Sequence, residues 1–280
     1  MNLILQGSAD PSTIQALAAP ARPVRIEAIP PHAWRCVGVD DSAEVRRQVE
    51  AASLDAGIDA TFIEAGIRLA DFRLLAMDMD STVITIECID EIADMQGLKP
   101  QVAAITEAAM RGEIDFAASL TRRVALLEGL DAGALQKVYD ERLRLSPGAE
   151  ALIGAARAAG VKTLLVSGGF TFFTDRVRQR LGMDYSHANV LEIANGRLTG
   201  KVVGGIVDAE EKKRTVERTC AELGVPAGRA IVVGDGANDL KMMSIAGLSV
   251  AYRAKPVVRA QAHVALNFSG LDGILPLLAQ

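Results

Sequence analysis

The segment LLAMDMDST, residues 74–82, joins a run of four apolar residues to two aspartates and two hydroxyl side chains. A short apolar run with polar boundaries is typical of a strand that is buried on both faces of an α/β sheet. Side chains alternate along a strand, so Asp78 and Asp80 point the same way if the extended geometry continues. The segment therefore predicts a buried strand with two carboxylates at its C-terminal end.

These two carboxylates have two interpretations. Held close together, Asp78 and Asp80 resist joint ionisation. A divalent cation removes that conflict, and hard cations such as Mg²⁺ prefer oxygen ligands. In the alternative, the aspartates belong to a loop and only cap the helix that follows. The residues in the other loops of the chain distinguish a metal site from a helix cap.

Composition excludes several classes of protein. The 280 residues carry a formal net charge of −5, and 50% of them are hydrophobic. There is no basic stripe that would support nucleic-acid binding, and no apolar run approaches the roughly 18 residues of a membrane span. The three cysteines and three histidines are scattered, which does not fit a disulfide framework or a metal cluster. We predict a cytoplasmic protein that binds neither nucleic acid nor membrane.

Residues 1–70 have a pattern of their own. Short apolar runs alternate with helical segments, predicted as strands at 2–6, 24–29, 35–39 and 59–64 and helices at 11–18 and 42–56. This β-α-β-β-α-β order is the split, ferredoxin-like arrangement. The segment has no glycine-rich loop and no cluster of titratable groups. We predict a small N-terminal α+β domain that carries no chemistry of its own.

Residues 71–280 alternate predicted strands and helices, which is typical of a mostly parallel sheet. From about residue 86 to residue 143 the pattern is helical, with no predicted strand, and we interpret this stretch as an inserted cap. After it, Ser146 and Pro147 are predicted to open a helix that Gly160 ends. The predicted fold class is therefore α/β, a Rossmann-like doubly wound parallel sheet with an inserted helical cap.

Polar loops follow three of the predicted strands, at residues 78–82, 167–169 and 234–239. In open α/β sheets, ligands bind where the carboxyl ends of the strands meet. Gly168 and Gly169 allow backbone N–H groups to approach an anion at the start of a helix, and Ser167 adds a hydroxyl. Asp235 offers a third carboxylate for a cation. Three such loops are harder to explain as simple helix caps than one.

Neighbouring polar residues keep two interpretations each. Asn238 and Asp239 either position a metal ligand or cap a helix. Residues 210–214, EEKKR, begin a predicted helix. Acids in a first turn suit the helix dipole but lysines do not. One lysine therefore either contacts a bound anion or belongs to a solvent-exposed run of charged residues.

Together these motifs resemble the signature motifs of the haloacid dehalogenase superfamily of phosphotransferases, most closely those of its members that act on phosphoserine. The likeness spans residues 73 to about 275. It rests on the segments 78–82, 87–93, 109–112, 116–124, 166–170 and 234–239. Residues 1–70 resemble the ACT-like domain of some family members only in the order of their elements.

The resemblance implies that O-phospho-L-serine is hydrolysed to L-serine and phosphate, the last step of serine biosynthesis, with Mg²⁺ as cofactor. Asp78 is then the nucleophile that becomes phosphorylated. Asp80 protonates the leaving serine oxygen and afterwards activates water. The side chains of Asp78 and Asp235 and the backbone carbonyl of Asp80 hold Mg²⁺, and Asp239 supports them.

The resemblance also assigns the substrate contacts. Ser167, the Gly168 N–H and Lys212 bind the phosphoryl group, although the adjacent Lys213 stays an alternative. Asn238 is assigned to the substrate as well. The remaining assigned residues belong to the cap region and its entrance: Glu87 and Arg123, which match residues that hold the amino and carboxylate groups, and Met110 and Phe116, which match apolar positions over the substrate.

The spacing in the cap is consistent with this role for Arg123. Phe116, Leu120 and Arg123 recur at i, i+4 and i+7, so they share one helical face. An arginine on an apolar face needs an anionic partner, and a substrate carboxylate matches its fork bidentately. A carboxylate of the protein, such as Glu128 or Asp90, is the open alternative.

Two other functions fit parts of the sequence. The same catalytic residues could act on another small phosphate monoester. A phospho-accepting receiver module also uses a strand-end aspartate, a hydroxyl, a lysine and Mg²⁺, but it lacks a second acid two residues later and a helical insertion. The ACT-like likeness of residues 1–70 suggests, as hypotheses, a homodimer and feedback by serine.

Overall fold

The computed structural model describes residues 1–279, with the exception of the side chain of Met110. The predicted role of Met110 over the substrate therefore lies outside the described part of the chain. Its strands are β1 (Asn2–Gln6), β2 (Arg25–Ile29), β3 (Ala33–Val37), β4 (Asp59–Ile63), β5 (Leu74–Met77), β6 (Lys162–Phe170), β7 (Tyr185–Ala194), β8 (Arg197–Val203), β9 (Ala230–Gly234), β10 (Leu248–Tyr252) and β11 (Val264–Leu266).

The helices follow the predicted alternation. In chain order they are α1 (Pro11–Ala18), α2 (Ala43–Asp55), α3 (Cys88–Met95), α4 (Lys99–Met110), α5 (Phe116–Ala125), α6 (Gly133–Glu141), α7 (Ala149–Ala158), α8 (Thr171–Leu181), α9 (Ala209–Glu222), α10 (Leu240–Met243) and α11 (Pro256–Arg259). No helix in the described chain is long and apolar enough to cross a membrane.

A seven-stranded sheet with the order β11-β10-β9-β5-β6-β7-β8 forms the centre of residues 71–279. Its neighbours pair in parallel except for the β7–β8 hairpin, which is antiparallel. The strand β5 lies between β6 and β9, and all four of its residues are fully buried. Burial on both faces explains why the run Leu74–Met77 contains no polar residue. The predicted doubly wound α/β fold is confirmed.

Between β5 and α7 the chain forms the helices α3, α4, α5 and α6, as expected for an inserted helical cap. The N-terminal sheet is separate and antiparallel, with the order β2-β3-β1-β4. Its helices α1 and α2 cover one face, where Leu3, Leu5 and Val49 are buried together. This order is that of the predicted ferredoxin-like arrangement. The domain limits at residues 70 and 71 and the ACT-like relationship remain predictions.

Two local predictions were wrong. The helix α7 starts at Ala149 rather than at Pro147, because Gly148 adopts a left-handed conformation with φ of 78° at the N-cap. A side chain at Gly148 would meet Asp272, so glycine is required there. The strand β6 does not stop at Val166 but continues to Phe170, with an irregularity in its pairing to β7.

A buried carboxylate joins the N-terminal sheet to the end of the chain. Asp59 on β4 is 2% exposed. It accepts hydrogen bonds from the backbone N–H groups of Asn267 at 2.6 Å, Phe268 at 3.1 Å and Ser269 at 2.8 Å. Arg35 on β3 adds bonds to backbone carbonyls in the last turn of the chain. These contacts fix the N-terminal unit to the catalytic unit.

Replacing Asp59 should therefore destabilise the whole protein. In Asp59→Ala three backbone N–H groups lose their shared acceptor, and we expect the free energy of unfolding to fall by about 3 kcal/mol. Urea denaturation followed by circular dichroism measures this change. Asp55→Ala is the matched control, because Asp55 is exposed at the end of α2, and it should change stability by less than about 0.5 kcal/mol. Equal effects of the two substitutions would contradict the proposed junction.

Candidate active site

The carboxyl ends of β5, β6 and β9 meet at one edge of the sheet, and the three predicted loops lie there. After β5 the chain makes one wide turn, residues Met79–Val83, in which the Ile84 N–H donates to the Met79 carbonyl at 3.0 Å. Ser81 takes a left-handed φ of 57° in this turn. The i→i+5 bond makes it a π-type turn, a form frequent at functional sites. Asp78 and Asp80 both line the cavity at this edge.

Lys212 is the charged residue under the site. It extends from the first turn of α9, is fully buried, and places its Nζ 2.9 Å from Asp78 Oδ1 and 2.7 Å from Asp239 Oδ1. Burial lowers the pKa of Lys212, but its two carboxylate partners raise it by more. The pKa therefore lies above its ordinary value. Lys213 instead is half-exposed and lies 3.8 Å from Glu217 on the helix surface. The structure thus brings Lys212, rather than Lys213, to Asp78.

Asp239 fastens the loop after β9. Its Oδ2 accepts from the N–H groups of Asp235 at 3.1 Å and Gly236 at 3.0 Å, while Oδ1 accepts from Lys212. Both oxygens are therefore engaged, as expected for a residue that supports the metal ligands. Asp235 turns its own carboxylate to the site, where Oδ1 accepts from Thr82 Oγ1 at 3.0 Å.

The site holds more negative than positive charge. Burial raises the pKa of Asp80 to about 8, with Glu87 as the next cause. Burial and Asp239 raise the pKa of Asp235 to about 6. The pKa of Asp78 is also raised, by burial and by the nearby Asp239. Lys212 alone cannot balance so many buried carboxylates.

A metal ion fits this excess of carboxylate. One oxygen from each of Asp78, Asp235 and Asp239 lies within 4.8 Å of the other two. Asp78 Oδ1 is held by Lys212 and by the Met79 N–H at 2.7 Å, whereas no described residue donates to Oδ2. The acidic triad can therefore hold a cation. The Asp80 side chain is not part of the triad, which leaves only its backbone carbonyl for the predicted metal contact.

The segment Ser167–Gly169 bulges out of β6. Val166 pairs with His187 and Phe170 with Asn189, so three residues of β6 face one residue of β7. The Gly169 N–H donates to Ser167 Oγ at 2.8 Å. A Cβ atom on Gly169 would lie 2.7 Å from Asp80 Oδ2, so glycine is needed for the close approach to Asp80. The predicted loop is thus a bulge, and all three of its residues line the cavity.

A cavity of about 610 Å³ lies between this edge and the helical insertion. Most of the predicted site residues line it, namely Asp78, Asp80, Glu87, Phe116, Arg123, Ser167, Gly168, Asp235 and Asn238. Lys212 and Asp239 lie beneath its floor, where they contact Asp78 and the loop after β9. The structure therefore brings together every predicted site residue whose side chain it describes.

Arg123 enters the cavity without an anionic partner. Its Nε is buried, and no described residue accepts a hydrogen bond from it. No ion pair within 4.0 Å joins it to Glu128 or Asp90 among the described residues. Burial lowers the pKa of its guanidinium, although Asp90 and Glu87 oppose the shift. A buried arginine of this kind is suited to an anionic ligand.

Glu87 faces the same cavity and is held in place by Ser81. The Ser81 Oγ donates to Glu87 Oε1 at 2.6 Å. Ser81 lies in the wide turn, so this turn positions Glu87 as well as Asp80. Burial raises the pKa of Glu87.

Sequence reasoning left several residues of the site without a role. Thr82, which donates to Asp235, had been noted only as a hydroxyl of the motif. Lys255 lines the cavity, and its backbone N–H donates to the Asp235 carbonyl at 3.4 Å. It lies just beyond β10, and the rule that ligands bind beyond strand ends could have found it. Asn189, on a strand with no strand-end motif, had no signal in the sequence.

Comparison with known proteins agrees with this geometry. The family model of the haloacid dehalogenase-like hydrolases matches residues 72–247. A curated relative, the phosphoserine phosphatase of Polaromonas sp. strain JS666, is 54% identical over 235 residues, which cover 82% of this chain and 100% of the relative.

Solved structures agree over the full length. A haloacid dehalogenase family hydrolase from Salmonella enterica serovar Typhi has a TM-score of 0.92 at 33% identity, covering 100% of this chain and 99% of that chain. A probable phosphoserine phosphatase from Vibrio cholerae, in unliganded form, has a TM-score of 0.85 at 35% identity, covering 99% of this chain and 86% of that chain. The chain therefore belongs to the haloacid dehalogenase-like hydrolase family.

Proposed function

We propose that this enzyme hydrolyses O-phospho-L-serine to L-serine and phosphate through an aspartyl-phosphate intermediate, with Mg²⁺ as cofactor, and so completes serine biosynthesis. The observation that carries the proposal is Arg123, a half-buried arginine that shares a cavity with Asp78 and whose buried Nε has no hydrogen-bond partner among the described residues. The names of the Polaromonas and Vibrio cholerae proteins support the same substrate.

Recognition of the substrate follows from the charges of the cavity. The guanidinium of Arg123 binds the α-carboxylate of phosphoserine, and Glu87 binds its ammonium group. Phe116 lies against Gly168, where a Cβ atom would be 3.0 Å from its ring, and it covers the substrate from the side of the helical insertion. Asn238 contributes a polar contact at the other rim. A zwitterionic amino acid satisfies both Arg123 and Glu87, whereas a sugar phosphate satisfies neither.

In the first step the carboxylate of Asp78 attacks phosphorus. A bond forms between an Asp78 oxygen and phosphorus, and the bond from phosphorus to the serine oxygen breaks. Asp80 gives its proton to that leaving oxygen, a role that its raised pKa suits because the carboxyl group is protonated near neutral pH. In the second step Asp80 takes a proton from water, which attacks the phosphoryl group and releases Asp78.

Charge on the transferred phosphoryl group is balanced by several donors. Ser167 Oγ, the Gly168 N–H and Lys212 contact its oxygens, which is the electrostatic support that phosphoryl transfer requires. Mg²⁺, held by Asp78, Asp235 and the Asp80 carbonyl, supplies Lewis-acid cancellation of the same charge when bound. Asp239 positions Lys212 and the loop that carries Asp235.

The proposal extends to the N-terminal unit and to the setting of the enzyme. Residues 1–70 form an ACT-like domain through which two copies pair as a homodimer, supported by the outer edge of β2, which has no partner strand in the described chain. All three cysteines are free and buried, which supports a reducing, cytoplasmic location.

Substrate choice tests the proposal directly. Purified enzyme, stripped of metal with a chelator, is assayed with phosphoserine, phosphothreonine, glycerol phosphate and an aryl phosphate, with and without added Mg²⁺. We expect phosphoserine to have the highest kcat/KM and activity to return with Mg²⁺. Equal turnover of glycerol phosphate and phosphoserine would point to another phosphate monoester as substrate.

Arg123→Ala isolates the contact to the carboxylate. Loss of a charged bidentate contact should lower kcat/KM for phosphoserine by about 100-fold, while kcat/KM for the aryl phosphate changes by less than about 3-fold. Arg122→Ala is the matched control, because Arg122 is exposed on the same helix, and it should change neither value. A parallel loss on both substrates would remove Arg123 from carboxylate binding.

Lys212 and Lys213 form a second matched pair. Lys212→Met removes the cation that contacts Asp78, and we expect kcat/KM to fall by about 1000-fold. Lys213→Met should stay within about 2-fold of the wild type, since that side chain lies on the helix surface. Steady-state kinetics, with circular dichroism as the check of folding, decides which lysine serves the phosphoryl group. The reverse order of effects would refute this assignment.

The pKa of Asp80 predicts how pH affects stability in the metal-free protein. Because folding raises this pKa from 3.8 to about 8, the native state keeps a proton that the unfolded chain releases over that range. Stability therefore falls as pH rises through the window. Asp80→Asn cannot ionise, so we expect its advantage in stability over the wild type to be larger at about pH 8 than at about pH 5, by about 4 kcal/mol.

Urea denaturation in chelator at both pH values measures this difference. Asp55→Asn, an exposed carboxyl exchanged for an amide in the same way, should show no such pH dependence. A constant offset between wild type and Asp80→Asn at the two pH values would show that Asp80 is not protonated in the native state.

A further inference from the structure

Asn189 is a buried amide beside the bulge formed by Ser167–Gly169. It lies on β7, is 1% exposed, and pairs in register with Phe170 at the end of the bulge. Its Nδ2 donates to the Gly168 carbonyl at 2.8 Å, and its Oδ1 accepts from the Val207 N–H at 2.8 Å. One side chain therefore joins two backbone segments that are distant in sequence.

The first of these bonds fixes the orientation of a peptide plane. In a trans peptide the carbonyl and the next N–H point to opposite sides. Because Asn189 holds the Gly168 carbonyl on its own side, the Gly169 N–H is directed the other way, where it donates to Ser167 Oγ at 2.8 Å. The Ser167 oxygen then accepts from Gly169, and the hydroxyl proton is left to donate to a phosphoryl oxygen.

The second bond reaches the lysine helix. Val207 directly precedes Asp208, whose side chain caps α9 by accepting from the Glu211 N–H at 2.8 Å. Lys212 extends from the first turn of this capped helix to Asp78. Asn189 thus sets the position of the start of α9 relative to the bulge, and with it the distance between Lys212 and Ser167.

We propose that Asn189 is a positioning residue for the phosphoryl-binding groups, which holds the Ser167 hydroxyl and Lys212 in register from outside the cavity. The inference rests on the proposed phosphatase function for its choice of anion. It goes further by assigning to one amide the geometry of two separate phosphoryl contacts. A side chain here has to donate on one side and accept on the other, which an amide does and a carboxylate or an alkyl group does not.

Asn189→Asp is the sharpest variant because it is nearly isosteric. It keeps the acceptor for Val207 but places an oxygen against the Gly168 carbonyl, so the peptide plane loses its donor. We expect kcat/KM for an aryl phosphate to fall by about 100-fold and inhibition by inorganic phosphate to weaken by about 10-fold. Inhibition by L-serine, whose amino and carboxylate groups bind away from the bulge, should change by less than about 2-fold.

Thr163→Val is the matched control. Thr163 is also buried, on the opposite end of β6, and its hydroxyl is bonded to Asp184 at 2.9 Å. This variant should lower the melting temperature without changing either inhibition constant. If Asn189→Asp also lowered stability but left phosphate inhibition and kcat/KM within about 2-fold of the wild type, the positioning role would be overturned.

A double-mutant cycle with Ser167 gives a second, independent readout. If Asn189 acts through Ser167, then Asn189→Ala should weaken phosphate inhibition much less in a Ser167→Ala background than in the wild type. Additive effects would overturn the inference. If Asn189→Ala does not fold, Asn189→Ser, which keeps a hydroxyl donor, replaces it. Its effect on phosphate inhibition is then compared in the wild-type and Ser167→Ala backgrounds.

The phosphate measurements do not depend on the identity of the natural substrate. If the enzyme hydrolyses the aryl phosphate but not phosphoserine, the proposed function fails, yet the effect of Asn189 on phosphate inhibition is still measured. If phosphoserine is the preferred substrate and the Asn189 variants retain phosphate inhibition, only the positioning role fails.

Discussion

A buried lysine between two buried aspartates is the interaction on which the active site depends. Lys212 Nζ contacts Asp78 and Asp239 with no exposure to solvent. Burying such a group is costly unless it is paired, and removing one partner leaves an uncompensated charge. The start of α9, the end of β5 and the loop after β9 are therefore held together by charge. Their relative positions cannot relax independently, and this rigidity is what in-line attack on a phosphoryl group requires.

The same balance gives the aspartates of the first motif unequal roles. Asp78 Oδ1 is bonded to Lys212 and to the Met79 N–H, while Oδ2 is left for the phosphorus or a cation. Asp80 lies farther along the wide turn, close to Gly169 and Glu87, where burial raises its pKa to about 8. A symmetric pair of carboxylates, as alternation along a strand suggests, would not give Asp78 and Asp80 different surroundings. The turn after β5 makes this difference, because it ends the strand before Asp80.

This turn also marks the limit of what the sequence could predict. Periodicity and strand-end loops predicted the central sheet, the helical insertion and the meeting of residues near 78, 167 and 235, because apolar runs and polar ends follow directly from burial. The start of α7 was wrong because Gly148 adopts a left-handed conformation that depends on Asp272, far along the chain. The bulge at Ser167 and the bonds of Asn189 depend on pairing between β6 and β7. Such contacts between distant segments leave no local pattern to read.

The two sides of the cavity carry different groups: the residues proposed for phosphoryl transfer lie on the side of the sheet, and those proposed for substrate choice lie on the side of the insertion. All groups assigned to phosphoryl transfer lie at strand ends of the central sheet or beneath them, where the backbone is held by pairing on both sides. Arg123 and Phe116 come from a helix of the insertion, and Glu87 lies at its entrance. A change in the insertion can therefore alter which phosphate monoester is bound without moving Lys212 or the aspartates. Arg123 fits this division, since its buried Nε has no acceptor among the described residues and an anionic ligand would supply one.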